Sequence, residues 1–292
     1  MDAATKNMTE LNYVVSNLAA EEAGGIVWWK LSGDVDVNEL TGAWLDAGLD
    51  ADWLPSPPSM ACVLTRGIKE LSDKRTLVRP LSGSKGWALV EETPRGDDLD
   101  YTILLRAVVD QNDGLTIEPS YGERHDELRA AVRRNYGKLQ HSDIGGWFTS
   151  LLTKLDAVAL RDSGGIYFIP RHSLADWRKI VTVFSAVSQH TVFVVPAMPV
   201  DETIDAVLDA VSSEATAEVE LMMQQLSLGN LGDRALQSRI NKADKIEQKL
   251  ARYEALLGKR LDGVRGKLTE VRGTAAAAMM MAAPEMTLPG EL

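Results

Sequence analysis

The sequence predicts an α+β protein of three consecutive parts and a tail. These are a small helix-and-strand domain over residues 1–95, a small α+β domain over 97–200, a long C-terminal α-helical hairpin over 201–283, and a disordered tail over 284–292. Three observations predict this. Helix-period and strand-period stretches are mixed through the first two parts, where strand-like runs close on the turn residues Ser82-Gly83-Ser84-Lys85 and Asp113-Gly114. A continuous apolar run, Ile166-Tyr167-Phe168-Ile169, reads as a strand covered on both faces by helices. From Ile204 to Val271 the apolar residues recur at helical spacing, interrupted only at Gly229-Asn230-Leu231-Gly232.

The chain has 292 residues, 45% of them hydrophobic, which suits about two domains and an appendage. Its one cysteine, Cys62, excludes an internal disulfide or a multi-cysteine zinc site and fits a reducing cytoplasm. The N-terminal residues lack a secretory pattern, and the alanine- and methionine-rich run over 275–283 is too short for a membrane span. The expectation is a cytoplasmic protein without a membrane partner. The net charge of −11 repels the phosphate backbone at long range, but the charges are sorted. Residues 1–57 carry ten acids and two bases, and 58–95 carry seven bases and four acids. Residues 201–228 carry seven acids and no base, whereas 233–272 carry eleven bases and six acids.

In the first part, Leu11, Val14, Val15 and Leu18 give a helix over 9–20, and Gly24-Gly25 leads into a strand, Ile26-Val27-Trp28-Trp29-Lys30-Leu31. Asp36 with Glu39 marks the cap of a second helix. After Leu54-Pro55-Ser56-Pro57-Pro58, Ser59 caps a third, with Ala61, Leu64, Ile68 and Leu71 as its apolar stripe. The hairpin Leu77–Glu92 follows. This order resembles the winged-helix arrangement, in which the early strand pairs with the C-terminal hairpin. The resemblance implies that the third helix recognises DNA. Arg66 and Lys69 would then face a groove, with Arg79 and Lys85 at the wing. About ten residues separate the second and third helices, where a tight helix-turn-helix uses about three or four. The plainer reading makes the cations a solvated face and the hairpin a lid on the core. Five of the seven tryptophans, Trp28, Trp29, Trp44, Trp53 and Trp87, fall in this part and read mainly as core.

In the middle part, strands over 100–110 and 115–118 join at Asp113-Gly114. A charged helix covers 123–139, and Ser142 caps the next, with Trp147, Phe148, Leu151, Leu152 and Leu155 inward. Ser173 caps a helix over 174–187, and Thr191–Val195 is the last strand. The four histidines show no ligand spacing, and Ser82–Gly86 lacks the phosphate-loop pattern. Asp97, Asp98 and Asp100 read as a solvated acidic linker before a metal site, and His172 with Asp176 as surface pairing before a proton relay. No catalytic residue, metal, cofactor or small-molecule substrate is expected.

The C-terminal part carries the strongest pattern. Ile204, Leu208, Val211, Ala215, Val219, Met222 and Leu226 form one ridge; Ile246, Leu250, Tyr253, Leu257, Leu261, Val264, Leu268 and Val271 form another. Both average close to 3.6 residues per step, which predicts nearly straight, coiled-coil-like rods. Acidic and basic rods pack antiparallel, and a two-helix hairpin has little core of its own. The assembly residues are therefore Ile204, Leu208, Val211, Val219, Leu226, Ile246, Leu250, Leu257, Leu261 and Leu268, with a second copy or another protein as partner; the plainer alternative is an arm packed on its own chain. Met279-Met280-Met281 is an adaptable apolar patch.

The fragments DWLPSPPS, TLVRPL followed by GWALVEE, and GGIYFIP resemble uncharacterised proteins of bacteriophages and mobile elements. That resemblance implies no activity. The first functional reading is a non-catalytic assembly protein; the second is a DNA-binding protein using Arg66, Lys69, Arg79 and Lys85; the third is an enzyme with an unrecognised site.

Overall fold

The structure, a computed structural model, describes residues 22–95, 98–229 and 231–282. The expected helix over 9–20 and the tail over 284–292 lie outside the described residues. The described elements begin with β1 (Gly24–Lys30), β2 (Val35–Asp36), α1 (Val37–Asp46), α2 (Met60–Glu70), β3 (Thr76–Pro80), β4 (Lys85–Arg95), β5 (Asp98–Val109) and β6 (Leu115–Glu118). It continues with α3 (Glu123–Asn135), β7 (Lys138–Leu139), α4 (His141–Lys154), β8 (Val158–Ala159), β9 (Tyr167–Pro170), α5 (Arg171–Ala186) and β10 (Thr191–Ala197). Three helices end it: α6 (Asp201–Ser227), α7 (Asp233–Leu257) and α8 (Asp262–Ala282). Helices and antiparallel sheets share the chain, so the fold class is α+β.

Two compact units form, and neither is continuous in sequence. One comprises the residues up to Lys30, Phe148–Val181 and the chain from Thr191 onward; the other comprises Leu31–Trp147 and Thr182–His190. The three consecutive domains that the sequence suggests are therefore not the units that form. Strand pairing gives the reason. The break expected at 95–97 falls inside one ladder, because β4 and β5 pair from Lys85↔Val109 to Arg95↔Asp98.

The unit containing 31–147 is built on the meander β3-β4-β5-β6. Val63, Leu64 and Ile68 of α2 and Leu128 and Val132 of α3 pack on Leu89, Leu105, Ala107, Val109 and Ile117 of one sheet face. Ser59 caps α2 by accepting from the Cys62 N–H at 3.3 Å, and Asp36 caps α1 by accepting from Asn38 at 2.8 Å, both as the sequence predicts. Asp113 turns the β5–β6 hairpin with a φ of 60° while Asp110 accepts from the Asn112 and Gly114 N–H groups. A second cluster gathers Trp44, Trp147 and Phe184, with ring centroids 5.5 and 5.8 Å apart along the chain of contacts. The Trp147 indole donates to the Trp53 carbonyl at 2.7 Å.

The other unit holds the antiparallel sheet β10-β1-β9-β8. Its central strand, β1, pairs with β9 (Gly24↔Pro170) and with β10 (Gly24↔Ala197), not with the β3–β4 hairpin. This departs from the winged-helix expectation, in which that strand belongs to the wing. A strand reading Ile-Val-Trp-Trp has apolar residues on both faces and is stable only where both are covered. Val27 and Trp29 lie toward α5 and Phe148, with Trp29 edge-on to Phe148 at 5.2 Å. Ile26 and Phe168 lie toward the C-terminal helices. A side chain at Gly24 would strike the Ile169 carbonyl at 2.1 Å, so the glycine is what lets the strands close up.

Past Val200 the chain makes three helices where the sequence suggests two. Gly258 adopts a φ of 70° and its N–H bonds the Glu254 carbonyl, so it ends α7 instead of only weakening it. The helices expected to follow caps at Ser142 and Ser173 start two and three residues earlier, at His141 and Arg171, and Ser173 is buried inside α5. Gly232 occupies the cap position of α7.

Candidate interaction surfaces

The four cations assigned to DNA do not converge. Arg66 points inward from α2, its side chain only 11% exposed, and meets Asp143 at 2.5 Å while donating to the Lys138 carbonyl at 3.0 Å. It is a structural tie between α2 and the start of α4. Lys69 is exposed on the same helix. Arg79 pairs in register with Ala88, one residue along from the core-facing pair Val78↔Leu89. Successive strand residues alternate sides, so Arg79 lies on the sheet face away from α2. Lys85 sits at the start of β4, on the α2 side.

The assembly residues are used within the chain. Val211, Val219, Leu226, Leu250, Leu257 and Leu268 are buried in one cluster with Phe168 and Val158, and Ile204, Leu208, Ile246 and Leu261 pack against it. The neighbour that the ridges require is thus α8 together with one face of the sheet containing β1. The sorted charges meet in the same place. Acids of α6 face bases of α7, α8 and the turn between them in the pairs Lys249–Glu214 (2.7 Å), Lys259–Asp205 (2.5 Å), Lys267–Glu220 (3.2 Å) and Lys242–Glu218. Arg265 bridges Glu247 and Glu254, and Arg272 meets Asp244 and Glu247. Each exposed pair adds little, but together they fix which helix lies beside which.

Among the described residues, one apolar face that stays uncovered is on the meander. The β4–β5 register skips Leu104 between Leu89↔Leu105 and Val90↔Ile103, a β-bulge. Leu104 and Leu105 both pack toward the core, and the bulge turns the residues beyond it to the other side. Leu99, Tyr101 and Ile103 therefore lie on the outer face with Val90, and they are 51%, 56% and 48% exposed. Beside them Arg79 and Arg106 flank Ala88, and Glu92 pairs with Tyr101. The Glu92 carboxylate beside the Tyr101 hydroxyl holds the phenol above its ordinary pKa.

Elsewhere the chemistry-bearing residues serve the fold. His172 lies 3.5 Å from Asp156, not beside Asp176, and Asp156 is held by Arg252 at 2.7 Å. The Tyr253 hydroxyl donates to the Asp156 carbonyl at 2.7 Å, and burial pushes its pKa well up. Asp100 pairs with Arg95 at 3.4 Å, while Asp97 lies outside the described residues. Cys62 is half-buried and free. Among the described residues no three of His, Cys, Asp and Glu gather closely enough to hold a metal ion, and no helix is long and apolar enough to cross a membrane.

A family model described as a family of unknown function, DUF6744, matches residues 23–284. The chain belongs to this family. No curated protein and no solved structure matches it. The match begins at the threshold of β1 and reaches past α8, so every described helix and strand of the DUF6744 chain is inside it. The outer face of the DUF6744 meander has a signal in the sequence: Leu99-Asp100-Tyr101-Thr102-Ile103 alternates apolar and polar with period two. The side to which that alternation points depends on a one-residue bulge, which no periodicity announces.

Proposed function

We propose that this chain is a non-catalytic assembly protein that pairs with a second copy of itself through the outer face of the β3–β6 sheet. The observation that carries this is the row Leu99, Tyr101 and Ile103, half-exposed at the outer end of β4–β5. Covering the exposed half of each is worth roughly 1 kcal/mol. The ends of the face carry opposite charge. Arg79 and Arg106 sit on the Ala88 rung with Glu118 opposite Arg106, which leaves a net positive charge there, and Glu92 sits two rungs further along, past Val90. A two-fold axis at the Val90–Ile103 rung sets the cationic end of each copy against the anionic end of the other, which is the requirement of an isologous interface.

Sedimentation of the full chain from micromolar to hundreds of micromolar tests the reading. The expected result is a concentration-dependent dimer that Tyr101→Lys with Ile103→Lys converts to monomer without changing the circular dichroism. Arg106→Glu weakens the dimer, and adding Glu92→Arg restores it. A monomer at every concentration, or a dimer indifferent to all of these changes, overturns the proposal.

A further inference from the structure

We infer that the solvent face of α7 is a binding site for the phosphate backbone of a double-stranded nucleic acid. Arg234, Ser238, Asn241, Lys245, Gln248 and Arg252 recur at spacings of 4, 3, 4, 3 and 4, and all six are exposed. They form one straight stripe, roughly 27 Å long at the α-helical rise. The six are cations, a hydroxyl and amides, with no acid among them, and the next position at the same spacing is Ala255. A groove of about 500 Å3 at the start of the stripe is lined only by Arg234, Gln237, Ser238, Asn241, Lys242 and Lys245. Three of those six are cations and none is a carboxylate, in a chain whose net charge is −11.

Most acids of the neighbouring helix faces are already engaged. Glu214 and Glu218 are held by Lys249 and Lys242, and Asp244 and Glu247 by Arg272. Asp156 is held by Arg252. Arg234 and Lys245 have no ion-pair partner among the described residues, so they are the cations free to meet a ligand. The chemistry of the stripe selects the ligand class. Cations alternate with hydroxyl and amide donors, and phosphate oxygens accept from all of these. An acidic peptide would also meet the cations, but its carboxylates are side chains on a mobile chain, whereas a duplex presents phosphates in a regular row along a rigid edge. The stripe has no aromatic residue on which an unpaired base could stack, which favours a duplex over a single strand. It also has little to read base edges with, so binding is sequence-independent. Long-range repulsion from the rest of the chain is screened beyond a Debye length of about 8–10 Å, which leaves the stripe as the local field. This inference is separate from the pairing of copies through the meander.

The test is fluorescence anisotropy of the full chain with a labelled mixed-sequence DNA duplex, with an RNA duplex and a single strand as further arms. At about 50 mM salt the expected affinity lies within the non-specific range of roughly 10–100 µM, falling with a log–log salt slope of about −2 for the roughly two phosphates that Arg234 and Lys245 neutralise. Arg234→Glu with Lys245→Glu lowers the affinity at least tenfold with circular dichroism unchanged. Lys69→Glu with Lys85→Glu leaves it as it was. No binding of either duplex at low salt overturns the inference, as does binding that survives the double reversal on α7. Preference for the single strand overturns the duplex assignment, and equal competition by polyglutamate overturns the nucleic-acid assignment in favour of an acidic protein segment.

Discussion

At the scale of single residues, the structure reassigns side chains that look functional to the holding of the fold. Arg66 is the plainest case. Breaking its pair with Asp143 strands a half-buried carboxylate and empties the Lys138 carbonyl, so Arg66→Ala is expected to cost about 2–3 kcal/mol in urea unfolding. Lys69→Ala, on the same helix but exposed, is expected to cost under about 0.5 kcal/mol. His190 gives a pH dependence. Its Nδ1 accepts from the Ser32 N–H at 2.7 Å and its ring stacks on Phe184 at 5.3 Å. Its other nitrogen has no hydrogen-bond partner among the described residues. Burial lowers its pKa, with Asp34 partly opposing. The unfolded chain therefore takes up this proton at higher pH than the folded one. The contribution of the neutral ring is complete above the unfolded value of about 6.5 and is lost as the pH falls from there toward the lowered folded value. The urea midpoint is expected to drop between pH 7 and 5.5, and His190→Asn, which keeps an acceptor but cannot titrate, is expected to flatten that drop. A variant with the same slope as the parent would show that other groups set it. None of this is legible in the sequence, where His190 is one of four scattered histidines and its partner Ser32 lies far away along the chain.

At the scale of elements, periodicity locates nearly every helix and strand, because an apolar stripe must follow the backbone repeat whatever it packs against. It fails where a single backbone conformation decides. Gly258 separates α7 from α8 while the apolar spacing runs straight across it, since Leu257 and Leu261 both serve the same core. This predicts opposite signs for two like substitutions. Gly258→Ala forces a side chain into the left-handed region and is expected to lower stability by about 1–2 kcal/mol. Gly266→Ala lies inside α8 with open space around the new methyl group and is expected to raise it by up to about 1 kcal/mol. Thermal unfolding of the pair decides whether the chain bends there: a stabilising Gly258→Ala would mean one continuous helix. The meander offers the same lesson. The Asp-Gly turn and both hairpins are readable, but the bulge beside Leu104, which decides which face Tyr101 and Ile103 occupy, is not.

At the scale of the whole molecule, the sequence supports the α+β class and the sorting of charge between helices, and it misplaces the boundaries. A boundary is a statement about which distant strands pair, and pairing is not written locally: β1 carries the same residues whether it joins a wing or a sheet closed by β9 and β10. The C-terminal helices are accordingly part of a core and not an appended arm. A chain ending at Val200 uncovers Ile26, Val158 and Phe168 at once. It is expected to bind a hydrophobic dye and to lose near-ultraviolet dichroism in this region while keeping secondary structure elsewhere. A well-packed, dye-free truncated chain would contradict the sandwiched sheet. The pairing of β1 also bears on biosynthesis. On the ribosome this strand emerges early, yet its partners at Tyr167–Pro170 and Thr191–Ala197 are translated much later. At roughly 5–20 residues per second that leaves Val27, Trp28 and Trp29 unsheltered for on the order of ten seconds or more. This strand is thus a segment for a chaperone to hold, and slowing translation between it and its partners would lower the yield of native protein.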